Sequence, residues 1–211
     1  MPHLVLLGDS ILDNGAYTDG GPAVIDHVQQ LLPQNWRGTL LAVDGSTTND
    51  IPDQIAAIPS DASALVLSVG GNNALLRAEV LESPVSSSGE ALLMLAKAVD
   101  EFEPSYRRVV GSCLQRGLPL VLCTIYNGNF PEPTYQRRAT LALTAYNDVI
   151  LRVGTEHQLT VIDLRLVCSS PSDYANPIEP SASGGAKIAR AIITASTQLP
   201  RELLGARVIA A

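Results

Sequence analysis

Histidine, cysteine and aromatic side chains are all scarce in this chain: three His, three Cys, one Trp, two Phe and six Tyr among 211 residues. The cysteines, Cys113, Cys123 and Cys168, are odd in number and far apart. With no Cys-x-x-Cys pair and no Cys/His spacing of a zinc site, neither a disulfide framework nor a bound metal is expected, and buried free thiols are the plain reading. Basic residues are outnumbered, 14 Lys and Arg against 21 Asp and Glu, for a net charge of -7. That balance argues against nucleic acid and against a basic patch on anionic membrane. A neutral or weakly polar small molecule is the easier ligand. No apolar run approaches the ~18 residues of a membrane span. Residues 1–8 lack a basic leader region and a small-residue cleavage site, so no signal peptide is read and the cytoplasm is the expected location. Neither Gly-x-Gly-x-x-Gly nor Gly-x-x-x-x-Gly-Lys occurs after the first strand, which leaves little for a nucleotide- or flavin-binding module, and no cofactor is expected.

The length fits one domain spanning residues 1–211, large enough to fold on its own hydrophobic core. Five apolar runs stand out, at residues 3–8, 39–44, 64–70, 118–126 and 159–164. They are continuous rather than alternating, as parallel strands covered on both faces should be. Helical segments separate them, at residues 22–32, 49–58, 89–117, 133–158 and 181–198. Pro104 should kink the third of these or split it. The stretch 83–89, SPVSSSG, reads as a mobile loop or lid. Alternating strands and helices predict a parallel sheet with helices on both faces, and such sheets bind ligands at the carboxyl ends of their strands.

Three of those strand ends carry residues suited to catalysis. Gly8-Asp9-Ser10 follows the first run, Asp44-Gly45-Ser46 the second and Gly70-Gly71-Asn72-Asn73 the third. Each alone is ordinary turn chemistry. Together they can bring a hydroxyl nucleophile to fixed amide donors, the arrangement that stabilises a developing oxyanion. After the fourth run, Tyr126 and Phe130 offer a wall for an acyl or aryl group, or simply an exposed loop.

These motifs resemble, in order and spacing, the blocks of the SGNH (GDSL-type) hydrolase superfamily. Gly8-Asp9-Ser10-Ile11 is similar to the first block, Gly45 to the glycine of the second, and Gly70-Gly71-Asn72-Asn73 to the third, where the family usually ends in aspartate. The last block, normally Asp-x-x-His-Pro-Ser-x-x-Gly, is matched by residues 176–184, NPIEPSASG. The resemblance implies a three-layer α/β/α, flavodoxin-like sandwich whose five parallel strands lie in the order 2-1-3-4-5. It implies hydrolysis of an ester or thioester of a small molecule through an acyl-enzyme on Ser10. The Ser10 and Gly45 amides and the Asn72 side chain would form the oxyanion hole, with Asp9, Asn73 and Tyr126 as further substrate-binding candidates.

The catalytic imidazole is missing. Aligned on Pro-Ser-x-x-Gly, Glu179 stands in the histidine place and Asn176 in the aspartate place. Aligned on Asp173 instead, Asn176 takes the histidine place and the downstream pattern no longer fits. His3 and His157 belong to the opposite sheet edge, and His27 lies inside the first helix. Glu179 is therefore the candidate base, provided that apolar neighbours such as Ile178 raise its pKa. The other reading of Glu179 is a cap on the final helix. In that case the chain would be a lapsed member of the fold that binds an acylated or carbohydrate ligand without efficient turnover.

Overall fold

The computed structural model describes residues 1–198 and 206–210. Six strands form one parallel sheet: β1 (His3–Gly8), β2 (Arg37–Leu40), β3 (Ala64–Ser68), β4 (Leu120–Cys123), β5 (Thr160–Ile162) and β6 (Arg207–Ile209). Their spatial order is β2-β1-β3-β4-β5-β6. The expected five-stranded sheet is thus corrected to six, with β6 added beside β5. The helices are α1 (Val24–Leu31), α2 (Ile51–Ala56), α3 (Gly71–Leu75), α4 (Ser88–Leu114), α5 (Pro133–Glu156), α6 (Leu164–Val167) and α7 (Ala182–Ile193).

β1 explains the layering. All six of its residues are buried, and successive side chains of a strand point to opposite faces. Leu4 and Leu6 enter one core with Val24, Val28, Ile188 and Ile192 of α1 and α7. Val5 and Leu7 enter a second core with Ile51, Phe102, Val110 and Ile150 of α2, α4 and α5. At about 1.5–3 kcal/mol for each fully buried aliphatic side chain, this two-sided burial is the main force holding sheet to helices. The three cysteines are free and buried in these cores.

Two local expectations need correction. The second strand is Arg37–Leu40, earlier than the apolar run at 39–44; its residues are only partly covered because it is the sheet edge. Pro104 does not split α4, which runs unbroken through it; the Ser105 hydroxyl donates to the Phe102 carbonyl at 2.7 Å, in the turn where proline offers no amide. The stretch 83–89 is an exposed loop up to Ser87, where α4 begins. Ser86 donates from its amide and hydroxyl to Glu90 (2.7 and 2.6 Å) and the Ser87 hydroxyl caps α4 by accepting from the Glu90 amide. Among the described residues no helix is long and apolar enough to cross a membrane.

Candidate active site

Ser10 stands just past the end of β1, in a turn closed by the Leu12 and Asp13 amides donating to the Asp9 carbonyl (both 3.0 Å). The turn needs glycine at its entry. Gly8 has φ +142°, and a Cβ there would lie 1.9 Å from the Ser68 carbonyl oxygen of neighbouring β3. Gln54 of α2 then clamps the Gly8 peptide from both sides, accepting from its amide and donating to its carbonyl, each at 2.8 Å. Ser10 itself is buried, 5% exposed.

Two neighbouring loops come to the same sheet edge. Gly45 follows β2 with φ +80°. Asn72, in the first turn of α3, donates from Nδ2 to the Ser46 carbonyl at 2.9 Å, which pins the third motif to the second. An amide nitrogen carries two hydrogens, so the second remains for a ligand. The backbone amides of Ser10 and Gly45 take no part in the hydrogen bonds of the surrounding turns. Asn73 is used differently: its Oδ1 accepts from the Thr48 amide (3.1 Å) and its Nδ2 donates to the Thr48 hydroxyl (2.9 Å). Its amide is spent on holding the loop, away from the pocket walls.

Glu179 arrives from the far end of the chain on a small hairpin, closed by a Tyr174–Pro180 bridge and by the Ala175 amide donating to the Glu179 carbonyl at 2.9 Å. Asn176 is exposed at its tip, its Oδ1 accepting from the Ile178 and Glu179 amides, both at 2.9 Å. Asn176 therefore shapes the hairpin backbone and leaves the carboxyl of Glu179 alone. The Tyr126 hydroxyl donates to the Ile178 carbonyl (2.5 Å), and buried Asn14 donates to the Pro180 carbonyl (3.2 Å) while accepting from the Val24 amide (2.8 Å). Asp173, the alternative aspartate, sits below the hairpin and is paired with Lys187 at 2.8 Å. The glycine of the last motif, Gly184, has a packing reason: a Cβ there would lie 2.1 Å from the Asp173 carbonyl oxygen.

The Glu179 carboxyl is pushed up to about 7, first by burial; the Ser10 hydroxyl, as a hydrogen-bond donor, holds it partly down, and the Asp44 carboxylate adds to the rise. Its Oε2 has no partner. Asp9 is also pushed up to about 7 by burial, against the Ile11 amide that its Oδ1 accepts (3.1 Å), with Glu179 and Asp44 adding to the rise. Its Oδ2 is likewise unpartnered. No imidazole reaches this edge. His3 bonds Asp61 and Thr39 at the start of the sheet (3.1 and 2.7 Å), His27 lies in α1 and His157 caps α5.

Asp9, Ser10, Asn72, Tyr126 and Glu179 all line one pocket, which encloses roughly 830 Å³ of space, part of it open to solvent. Away from Ser10 its walls are apolar, built by Leu75, Val80, Leu95, Phe130, Leu143 and Tyr146. Among the described residues Arg77 is the one cation on the wall, and it is tied to Glu79 (3.0 Å) and Glu101. Among the described residues no group of three or more His, Cys, Asp or Glu could hold a metal ion.

The family model of the GDSL-like lipase/acylhydrolase family matches residues 6–187. The chain belongs to this family. No curated protein matches it significantly in sequence. Among solved structures, it is similar to the extracellular lipase of Streptomyces rimosus, with 15% identity over 93% of this chain and 100% of the other, at a TM-score of 0.68. It is similar to phospholipase A1 of Streptomyces albidoflavus, with 14% identity, 92% and 99% coverage and a TM-score of 0.69. The acetylxylan esterase Axe2 of Geobacillus stearothermophilus gives 19% identity, 91% and 92% coverage and 0.61. As a GDSL-like hydrolase the chain is an ester-hydrolysing enzyme with an α/β fold.

Sequence reading missed the residues that assemble the site from behind. Asn14 and Asn147, whose amide clamps Ile125 after β4 at 2.7 and 2.8 Å, bond backbone alone, and Gln54 holds the Gly8 peptide and the Ser46 hydroxyl (3.2 Å). The available signal was a carboxamide on an otherwise apolar stretch, as in Ile51-Pro52-Asp53-Gln54-Ile55.

Proposed function

We propose that this enzyme hydrolyses esters of apolar acyl groups by way of an acyl-Ser10 intermediate, with Glu179 as the general base. The observation that carries the reading is the Glu179 carboxyl: buried, unpartnered at Oε2, lining the same pocket as Ser10 and raised to about 7. A carboxylate of ordinary pKa is a weak base, whereas one near neutrality is ionised in useful amount and still accepts a proton well.

In the first half-reaction Glu179 takes the proton of Ser10 Oγ as that oxygen bonds to the acyl carbon. The carbonyl electrons move onto oxygen, where the Ser10 and Gly45 amides and the free hydrogen of Asn72 Nδ2 are available to receive the charge. One such donor is typically worth about 3–4 kcal/mol. Collapse breaks the bond to the leaving oxygen, which departs as an alcohol with the proton from Glu179. Water then gives Glu179 a proton and attacks the acyl carbon, and the returning proton restores Ser10 as the acid leaves. Asn176 and Asp173 do not supply the orienting partner of a triad: the first is spent on its own hairpin and the second on Lys187. The hairpin's clamps at Tyr126 and Asn14 take over that orienting task.

The apolar walls between α4 and α5, from Leu75 and Leu95 to Leu143 and Tyr146, suit an acyl chain longer than acetyl. A sensitive aryl-ester assay across chain lengths tests the reading. Turnover abolished by Ser10→Ala and reduced at least a hundredfold by Glu179→Gln supports it. A signal equally flat in all three proteins would instead make this a ligand-binding member that has lost turnover.

A further inference from the structure

Asp9 precedes the nucleophile, is 1% exposed, and lines the same pocket as Ser10 and Glu179. Its Oδ1 is spent on the Ile11 amide, a turn contact that an asparagine oxygen could make equally well. Its Oδ2 has no partner, and neither does Oε2 of Glu179. A permanently ionised aspartate would not leave a buried oxygen unsolvated in this way. The groups acting on the two carboxyls are themselves acids: Asp44 on both, and the Glu179 charge on Asp9. The Tyr126 and Tyr17 hydroxyls and the Cys123 thiol complete the surroundings, all raised in pKa and neutral near pH 7. Arg77 stands across the pocket, engaged by Glu79 and Glu101. Among the described residues no cation is placed to let both carboxyls ionise together.

We propose that Asp9 and Glu179 form a carboxyl pair around Ser10 that carries a single proton at neutral pH, with Asp9 holding it while Glu179 acts as base. This rests on the hydrolase reading above and deepens it. Asp9 is a positioning residue here: its neutral form keeps a second negative charge away from the oxyanion that forms beside Ser10. Such a pair titrates in two steps belonging to both groups. The first ionisation, at Glu179, switches activity on. The second, at Asp9, places like charge beside the transition state and switches activity off.

The wild-type enzyme should therefore show a bell-shaped profile of kcat/KM against pH with both limbs set by this pair. Asp9→Asn, which keeps the turn contact and cannot ionise, should lose the alkaline limb. The readout is the ratio of kcat/KM at pH 9 to that at pH 7: about tenfold or more below one in wild type, near one in Asp9→Asn. KM should be similar in the two at pH 7, because the acyl chamber is untouched. An alkaline limb that persists in Asp9→Asn, or a wild type with no such limb, overturns the pair. A second measurement needs no turnover. Carboxyl-carbon NMR of the folded wild type should show two carboxyls titrating near or above neutrality, and Asp9→Asn should leave one. Two carboxyls titrating at ordinary acid pH would overturn the pair. Absence of Ser10-dependent hydrolysis alongside two raised titrations would instead refute the hydrolase reading and leave the pair standing.

Discussion

Replacing Glu179 by glutamine should make the protein more stable while it removes the base. A carboxyl raised from an ordinary 4.5 to about 7 is one that the folded state holds reluctantly once ionised. The sign follows from proton counts: between those two values the folded chain binds more protons than the unfolded one, so stability falls as pH rises through the interval and stays low above it. At about 1.4 kcal/mol per pKa unit the full penalty is about 3 kcal/mol. Part of the carboxyl faces the pocket, so about 2 kcal/mol is the expected gain for the neutral amide at pH 8. In a chain of this size that is a rise in melting temperature of about 4–8 °C. Near pH 4, where the carboxyl is protonated in both states, the difference should vanish. Thermal unfolding of wild type and Glu179→Gln at pH 4, 6 and 8, followed by circular dichroism, measures this directly. A variant no more stable at pH 8 than at pH 4, relative to wild type, would mean that Glu179 is not held against its charge, and the argument for its basicity would go with it.

Other expectations follow from the same geometry. Asn72→Ala should lower kcat by about 10²–10³ in steady-state ester hydrolysis with little change in KM, since the lost donor acts on the oxyanion. Gln54→Ala removes two buried hydrogen bonds to the Gly8 peptide and should destabilise the fold by about 1–3 kcal/mol in urea titration. Ala142→Phe, on the wall of the acyl chamber, should shift preference toward shorter acyl chains in a series of aryl esters; an unchanged chain-length profile would place the acyl group elsewhere.

The layered sheet was readable because four of its strands are buried on both faces, so the runs around Leu4, Leu65, Leu122 and Val161 are continuous. β2 was misplaced because an edge strand needs no such run: Arg37, Gly38 and Thr39 pair with β1, while the more apolar Ala42 and Val43 fall in the loop after it. β6, three residues beside β5, is too short to announce itself. That Ser10, Gly45 and Asn72 share one sheet edge was legible because each follows a strand of a parallel sheet. Glu179 was found only by aligning Pro180, Ser181 and Gly184 across a missing histidine. Its environment was not legible, since the groups that hold its hairpin, Tyr126 and Asn14, come from distant parts of the chain. Asn176 shows the limit of alignment: it occupies a family position, yet its side chain caps its own hairpin.

The Ser10 hydroxyl should become acylated with the help of Glu179. Rapid mixing with a p-nitrophenyl ester at pH 7.5, followed by acid quench and mass spectrometry, tests it most directly. The expected result is a burst approaching one equivalent per chain and an acyl mass increment on the peptide containing Ser10, absent in Ser10→Ala and strongly slowed in Glu179→Gln. An increment on any other residue, or acylation of Ser10 at the same rate in Glu179→Gln, would contradict it.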